Sequence, residues 1–122
     1  PSTRQAAILT GCKNISSFTA NSAQRIHATD WDISLDVAQD PAGFHYIGIR
    51  MHDIFYGDGP NATHFVVLEE IENPFSYTIM VRAKGAPHAS PLGWEVDKAL
   101  WQSVRASEIV LHIPNENIML LN

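Results

Sequence analysis

The chain has 122 residues, 45% of them hydrophobic and 17% charged, with a formal net charge of -5 and a single cysteine. That length admits one ordinary domain or two very small ones, and the composition is that of a folded globular chain, outside the polar, highly charged regime of disorder. No apolar run approaches the ~20 residues of a membrane-spanning helix; one cysteine excludes an internal disulfide framework; and an acidic balance without a basic stripe argues against nucleic acid, whose binding rests on phosphate neutralisation.

In chain order, an apolar stretch from Ala6 to Leu9 runs into the densest polar cluster, Thr10-Gly11-Cys12-Lys13-Asn14-Ile15-Ser16. A glycine among small polar residues lets the backbone approach a ligand, and Lys13 with the donors of Thr10, Asn14 and Ser16 suits an anion. The same spacing also suits a plain polar turn ending a strand. Next, WDISLDV sets Trp31, Ile33, Leu35 and Val37 against Asp32, Ser34 and Asp36, the period-two pattern of a half-buried strand. HYIGIR and FVVLEEI follow as strand-length runs. In PFSYTIMVRA, Phe75, Tyr77, Ile79 and Val81 alternate with Ser76, Thr78, Met80 and Arg82. The one helical piece expected runs from Asp97, as N-cap, to Gln102. ASEIVLHI and NIMLL complete an all-β reading.

Turn residues cluster at 57–61, which divides the chain into expected units at 1–57 and 62–122. An internal echo supports two copies of one small β unit: Ile49-Arg50-Met51-His52-Asp53-Ile54 is matched in type by Val104-Arg105-Ala106-Ser107-Glu108-Ile109. Each copy follows a tryptophan-bearing segment, so Trp31 and Trp94 are expected in comparable places. The six histidines, His27, His45, His52, His64, His88 and His112, are scattered without metal-ligand spacing. His52 stands out because it lies beside Arg50. Cys12 as a nucleophile would need a partnering histidine; otherwise it is a small, partly buried residue. Asp30, Asp32, Asp36 and Asp53 read as a solvated face, and no phosphate loop is present.

Three stretches together resemble the C-terminal regulatory region of ATP-binding subunits of molybdate or tungstate ABC importers. PSTRQAAILTGCKNIS looks like the junction with the nucleotide-binding domain; FHYIGIRMHDI looks like the strand closing a first transport-associated OB unit (TOBE type). LGWEVDKALWQSVRASEIVLHIPNENIMLL looks like the end of a second unit. The resemblance implies two tandem OB-like barrels with a short helix in the second half. It implies a cytoplasmic regulatory module, held at the inner face of the membrane through its parent transporter, that binds oxyanion when the anion is abundant and inhibits transport. It also implies a homodimer, contact with the nucleotide-binding domain of the same parent chain and indirect contact with the transporter's membrane subunits. No catalytic residues, metal or cofactor beyond the oxyanion ligand are expected.

Carried over by motif, Thr10, Gly11, Cys12, Lys13, Asn14, Ile15 and Ser16 would line an oxyanion loop. Arg50 and Arg105 would take a matching basic position, and the second half shows no counterpart of TGCKN. Molybdate and tungstate are fully deprotonated dianions, so an ideal site offers donors and no carboxylate, whereas phosphate often keeps a proton and wants an acceptor. Two other readings stand beside this one: a structural dimerisation domain of an ABC ATPase without ligand, and an enzyme using Cys12 or a histidine pair.

Overall fold

The alternating apolar runs become strands because one face of each can be buried. A computed structural model describes residues 2–122; Pro1, where the expected junction and first unit begin, lies outside the described residues. The strands are β1 (Asn14–Ala20), β2 (Arg25–Ala28), β3 (Ile33–Asp36), β4 (Tyr46–Ile49), β5 (Phe55–Tyr56), β6 (Thr63–Glu72), β7 (Ser76–Ala83), β8 (Leu92–Asp97), β9 (Glu108–His112) and β10 (Met119–Leu121). They form two five-stranded antiparallel sheets, ordered β10-β4-β1-β2-β3 and β5-β9-β6-β7-β8. In β7 every second residue, Tyr77, Ile79, Val81 and Ala83, is buried, as the alternation requires. One apolar core joins the sheets, with Ile26, Leu35, Ile47 and Ile49 from the first and Phe65, Ile79, Leu92 and Leu111 from the second. This is the expected all-β pair of small barrel-like units.

Two helices accompany the strands. Helix α2 (Lys98–Val104) starts where expected: the Asp97 carboxylate caps it, accepting from the Leu100 N–H at 2.7 Å. Helix α1 (Arg4–Leu9) was not foreseen and replaces the apolar strand end expected there. Six residues are too short to display helical periodicity, so its evidence is local: the Thr3 hydroxyl accepts from the Ala6 N–H at 3.0 Å, and Ala7 is buried. Strands β1 and β2 were also missed, β1 being rich in Ser, Thr and Ala and β2 only four residues long.

The two sheets have the same order once their members are matched: β1 with β6, β2 with β7, β3 with β8, β4 with β9 and β5 with β10. Each half's last strand is therefore exchanged, β5 joining the second sheet and β10 the first. The cross-strand registers align the halves residue by residue, pairing Phe18 with Phe65, Leu35 with Leu92, Ile47 with Leu111 and Ile54 with Ile118.

This alignment corrects three expectations. The counterpart of Arg50 is Pro114; Arg105 instead closes α2. Trp94, inside β8, matches Val37, while Trp31 lies in the turn before β3. The second half does carry a counterpart of the polar loop, with Asn61 at the place of Asn14.

Those two asparagines bind the halves together. The buried Asn14 amide donates to the Gly93 carbonyl and accepts from the Gly93 N–H, both at 2.8 Å. Asn61 does the same to Asp36, accepting from its N–H at 2.7 Å and donating to its carbonyl at 3.0 Å. Each side chain thus imitates a β-bridge across the pseudo-twofold axis. Replacing Asn14 by Ala strands a buried donor and acceptor, and should cost about 2–4 kcal/mol of stability in chemical denaturation. Asn61→Ala should also destabilise, since the amide further donates to the Ile113 carbonyl and the Asn115 side chain, both at 2.9 Å, but by less, because Asp36 is exposed enough to take up water.

Candidate functional site

Strands β6 and β7 run past their counterparts β1 and β2, so the second half carries a longer hairpin. Its face turned away from the core presents the cross-strand row Ile71–Thr78–Glu95, with Met80 to one side and Ser76 to the other. Over it lie the first half's polar loop and the tight helical turn at Met51–Asp53. The cleft between them has a volume of about 600 Å³ and is lined from the first half by Gly11, Lys13, Arg50, Met51 and His52. The second half supplies Ile71, Asn73, Ser76, Thr78, Met80 and Glu95.

The expected oxyanion set divides here. Gly11, at φ +92°, turns the chain from α1 into the loop, and Gly11, Lys13 and Arg50 reach the cleft. Arg50 Nη2 donates to the Thr10 hydroxyl at 3.3 Å and Nη1 contacts the Met119 sulfur at 3.3 Å, which fixes the guanidinium beside the loop. Thr10 therefore acts through Arg50; its own hydroxyl donates to the Ala6 and Ala7 carbonyls.

Asn14 is committed to Gly93, and the buried Ser16 hydroxyl donates to the Ser17 carbonyl and accepts from the Asp30 N–H. Ile15 packs on a small apolar cluster of Ala7, Cys12 and Leu121. The side chains of Cys12, Asn14, Ile15 and Ser16 are thus structural, because β1 begins inside the motif and spends them on the fold.

The cleft brings two cations without a carboxylate partner together. Of the eight Lys and Arg residues, Arg25, Lys84, Lys98 and Arg105 are each engaged by a carboxylate, whereas Arg4, Lys13, Arg50 and Arg82 make no ion pair among the described residues; of these four, Lys13 and Arg50 line the cleft, and Arg4 lies over the Tyr46 ring. Arg105 is bound to Glu70, whose carboxyl the Trp101 indole N–H and the Arg105 guanidinium hold below its ordinary range. His52 adds a third donor to the cleft, with the Asp53 carboxylate 3.8 Å from its Nε2. Glu95 is the one carboxylate in the lining.

Sequence reasoning missed the entire second-half contribution. Its trace in the sequence is the PFSYTIMVRA alternation, which sets Ser76, Thr78 and Met80 on one side of the strand.

Cys12 is 2% exposed, and its thiol donates to the Asn14 carbonyl at 3.5 Å. Burial pushes the Cys12 thiol up from its ordinary value, which reduces the thiolate at neutral pH. No group of three or more metal-ligating side chains assembles among the described residues. Alkylation of native protein at pH 7.5 should accordingly run at least about tenfold slower than after unfolding, followed by mass spectrometry.

No protein-family model matches the chain, and no curated protein matches it in sequence. Among solved structures it is similar to the cytoplasmic molybdate-binding protein ModG, crystallised with molybdate bound. The TM-score is 0.69 at 9% identity, over 92% of this chain and 98% of that one. At this identity the likeness is one of fold. No helix among the described residues is long and apolar enough to cross a membrane.

Proposed function

We propose that this chain is an oxyanion-binding regulatory domain, taking molybdate or tungstate in the cleft under Lys13 and Arg50. The observation that carries this reading is the convergence of two unpaired cations and His52 on one cleft of a chain whose net charge is -5. A dianion there gains charge-assisted hydrogen bonds, the strong class, without displacing a carboxylate from either cation. The shared fold with a molybdate-binding protein supports the ligand class. The resemblance of the TGCKN and IGIRMHD stretches to regulatory regions of ABC importer ATPases supports the setting. In that setting the domain homodimerises and bound anion slows transport.

Leu9 and Phe75, 79% and 92% exposed, adjoin the cleft residues Thr10–Gly11 and Ser76 in sequence and offer apolar surface for such pairing. Because linkage is reciprocal, an anion preferring the dimer must lower its dissociation constant. Tungstate titration by calorimetry, with sedimentation in parallel, tests both parts. Lys13→Ala and Arg50→Ala should each weaken binding roughly tenfold to a hundredfold. Unchanged affinity in both would exclude this cleft, and an anion-free dimer of undiminished strength would favour a purely structural dimerisation domain.

Glu95 sets the preference among oxyanions. A carboxylate opposes a fully deprotonated dianion and accepts from one that keeps a proton. Glu95→Gln should tighten tungstate binding several-fold and leave phosphate unimproved, measured side by side at low ionic strength, where exposed charges are least screened.

A further inference from the structure

The pseudo-twofold axis raises the question of a second cleft, in which the loop at 57–61 would face the β1–β2 hairpin. The cross-strand registers identify what stands at each equivalent place. Lys13 is replaced by Pro60, Arg50 by Pro114 and His52 by Glu116. Met80 of the floor and its cross-strand partner Gly93 are replaced by Arg25 and Asp36, which are locked in an ion pair at 3.0 Å. Among the described residues no free cation is left at these places, and Glu116 adds a negative charge. The wall is missing too, since β2 begins only at Arg25, the counterpart of Met80, whereas β7 begins at Ser76, with Asn73 in the turn before it.

That wall has a definite hydrogen-bond polarity. The Asn73 side-chain amide donates to the Thr78 hydroxyl at 2.9 Å and to the Ser76 hydroxyl at 3.4 Å. A hydroxyl that accepts from an amide keeps its own proton for another acceptor. Thr78 and Ser76 are therefore turned into donors on the cleft side, opposite the Lys13 and Arg50 cations. Neither half contains both the cationic loop and the hydroxyl wall.

We propose that the anion site is a joint product of the two halves, with Thr78 and Ser76 as ligand donors positioned by Asn73. Its pseudo-twofold mate is not a site, so each chain takes one anion. This rests on the anion-binding reading above.

The full chain is titrated with tungstate by calorimetry, for wild type and for Thr78→Val, Thr78→Ser, Asn73→Ala and Lys13→Ala. The expected result is one tungstate per chain, a loss of roughly tenfold in Thr78→Val, and near wild-type affinity in Thr78→Ser. Asn73→Ala should lose affinity while its melting temperature without anion stays within a few degrees of wild type. Two anions per chain, or Thr78→Val binding as tightly as wild type while Lys13→Ala fails, overturns the joint site and leaves the anion-binding reading intact. No tungstate binding by wild type at millimolar concentration overturns both.

Discussion

The arrangement depends on a pair of reciprocal hydrogen-bonded clamps. Asn14 and Asn61 each project from the loop that opens one half and grip the backbone of an edge strand in the other, at Gly93 and Asp36. Backbone groups at a sheet edge have no strand to pair with, and leaving them unsatisfied in a buried place costs more than most side-chain contacts return. A carboxamide is well suited to the task, since one group supplies both donor and acceptor at the spacing of a peptide bond. The clamp also places the cleft: it holds the polar loop against β8, so Lys13, next in sequence to Asn14, stands over the second sheet.

Around this shared device the halves have diverged, and the divergence is complementary. In the first half the Cys12 sulfur packs over Gly48, whereas in the second the large and small partners trade places, Gly59 lying under the His112 ring. A methyl group on Gly59 would come within 2.6 Å of that ring, so the site has space for one large side chain only. The same exchange of character runs through the outer surface, where a cationic roof in one half answers a proline and glutamate counterpart in the other. A duplicated unit needs to preserve its axis and its core, while its two exposed clefts are free to drift apart.

The strands with clean alternation around Ile33–Leu35 and Tyr77–Val81, and the Asp97 cap, were legible because each rests on a local pattern of burial or capping. Helix α1, too short for periodicity, and strand β1, rich in small polar residues, were not, since they draw on tertiary partners such as Tyr46, over whose ring Arg4 sits at 4.4 Å, and Gly93. The duplication was visible in the sequence, but in the wrong register. Similar residues at 49–54 and 104–109 suggested an alignment that the ladders replace with one carried by core positions of unlike sequence, such as Ile47 with Leu111. For the site, the motif located the loop and Arg50. It could not separate side chains spent on folding from those facing the cleft, and it gave no hint that a hairpin sixty-odd positions away supplies the opposite wall.

Strand exchange bears on how the molecule is made. The first sheet is built from residues near the start of the chain, yet its outer strand, β10, is Met119–Leu121, which pairs with β4 across the entire second half. During synthesis the first half therefore emerges with β4 exposing an open edge, and no local segment can cover it. Its closure waits for nearly all of the remaining chain, a contact of long sequence separation of the kind that slows folding. A nascent chain in this condition is a natural client for factors that shield unpaired strands, and a truncation removing the final few residues would damage the first half more than the second.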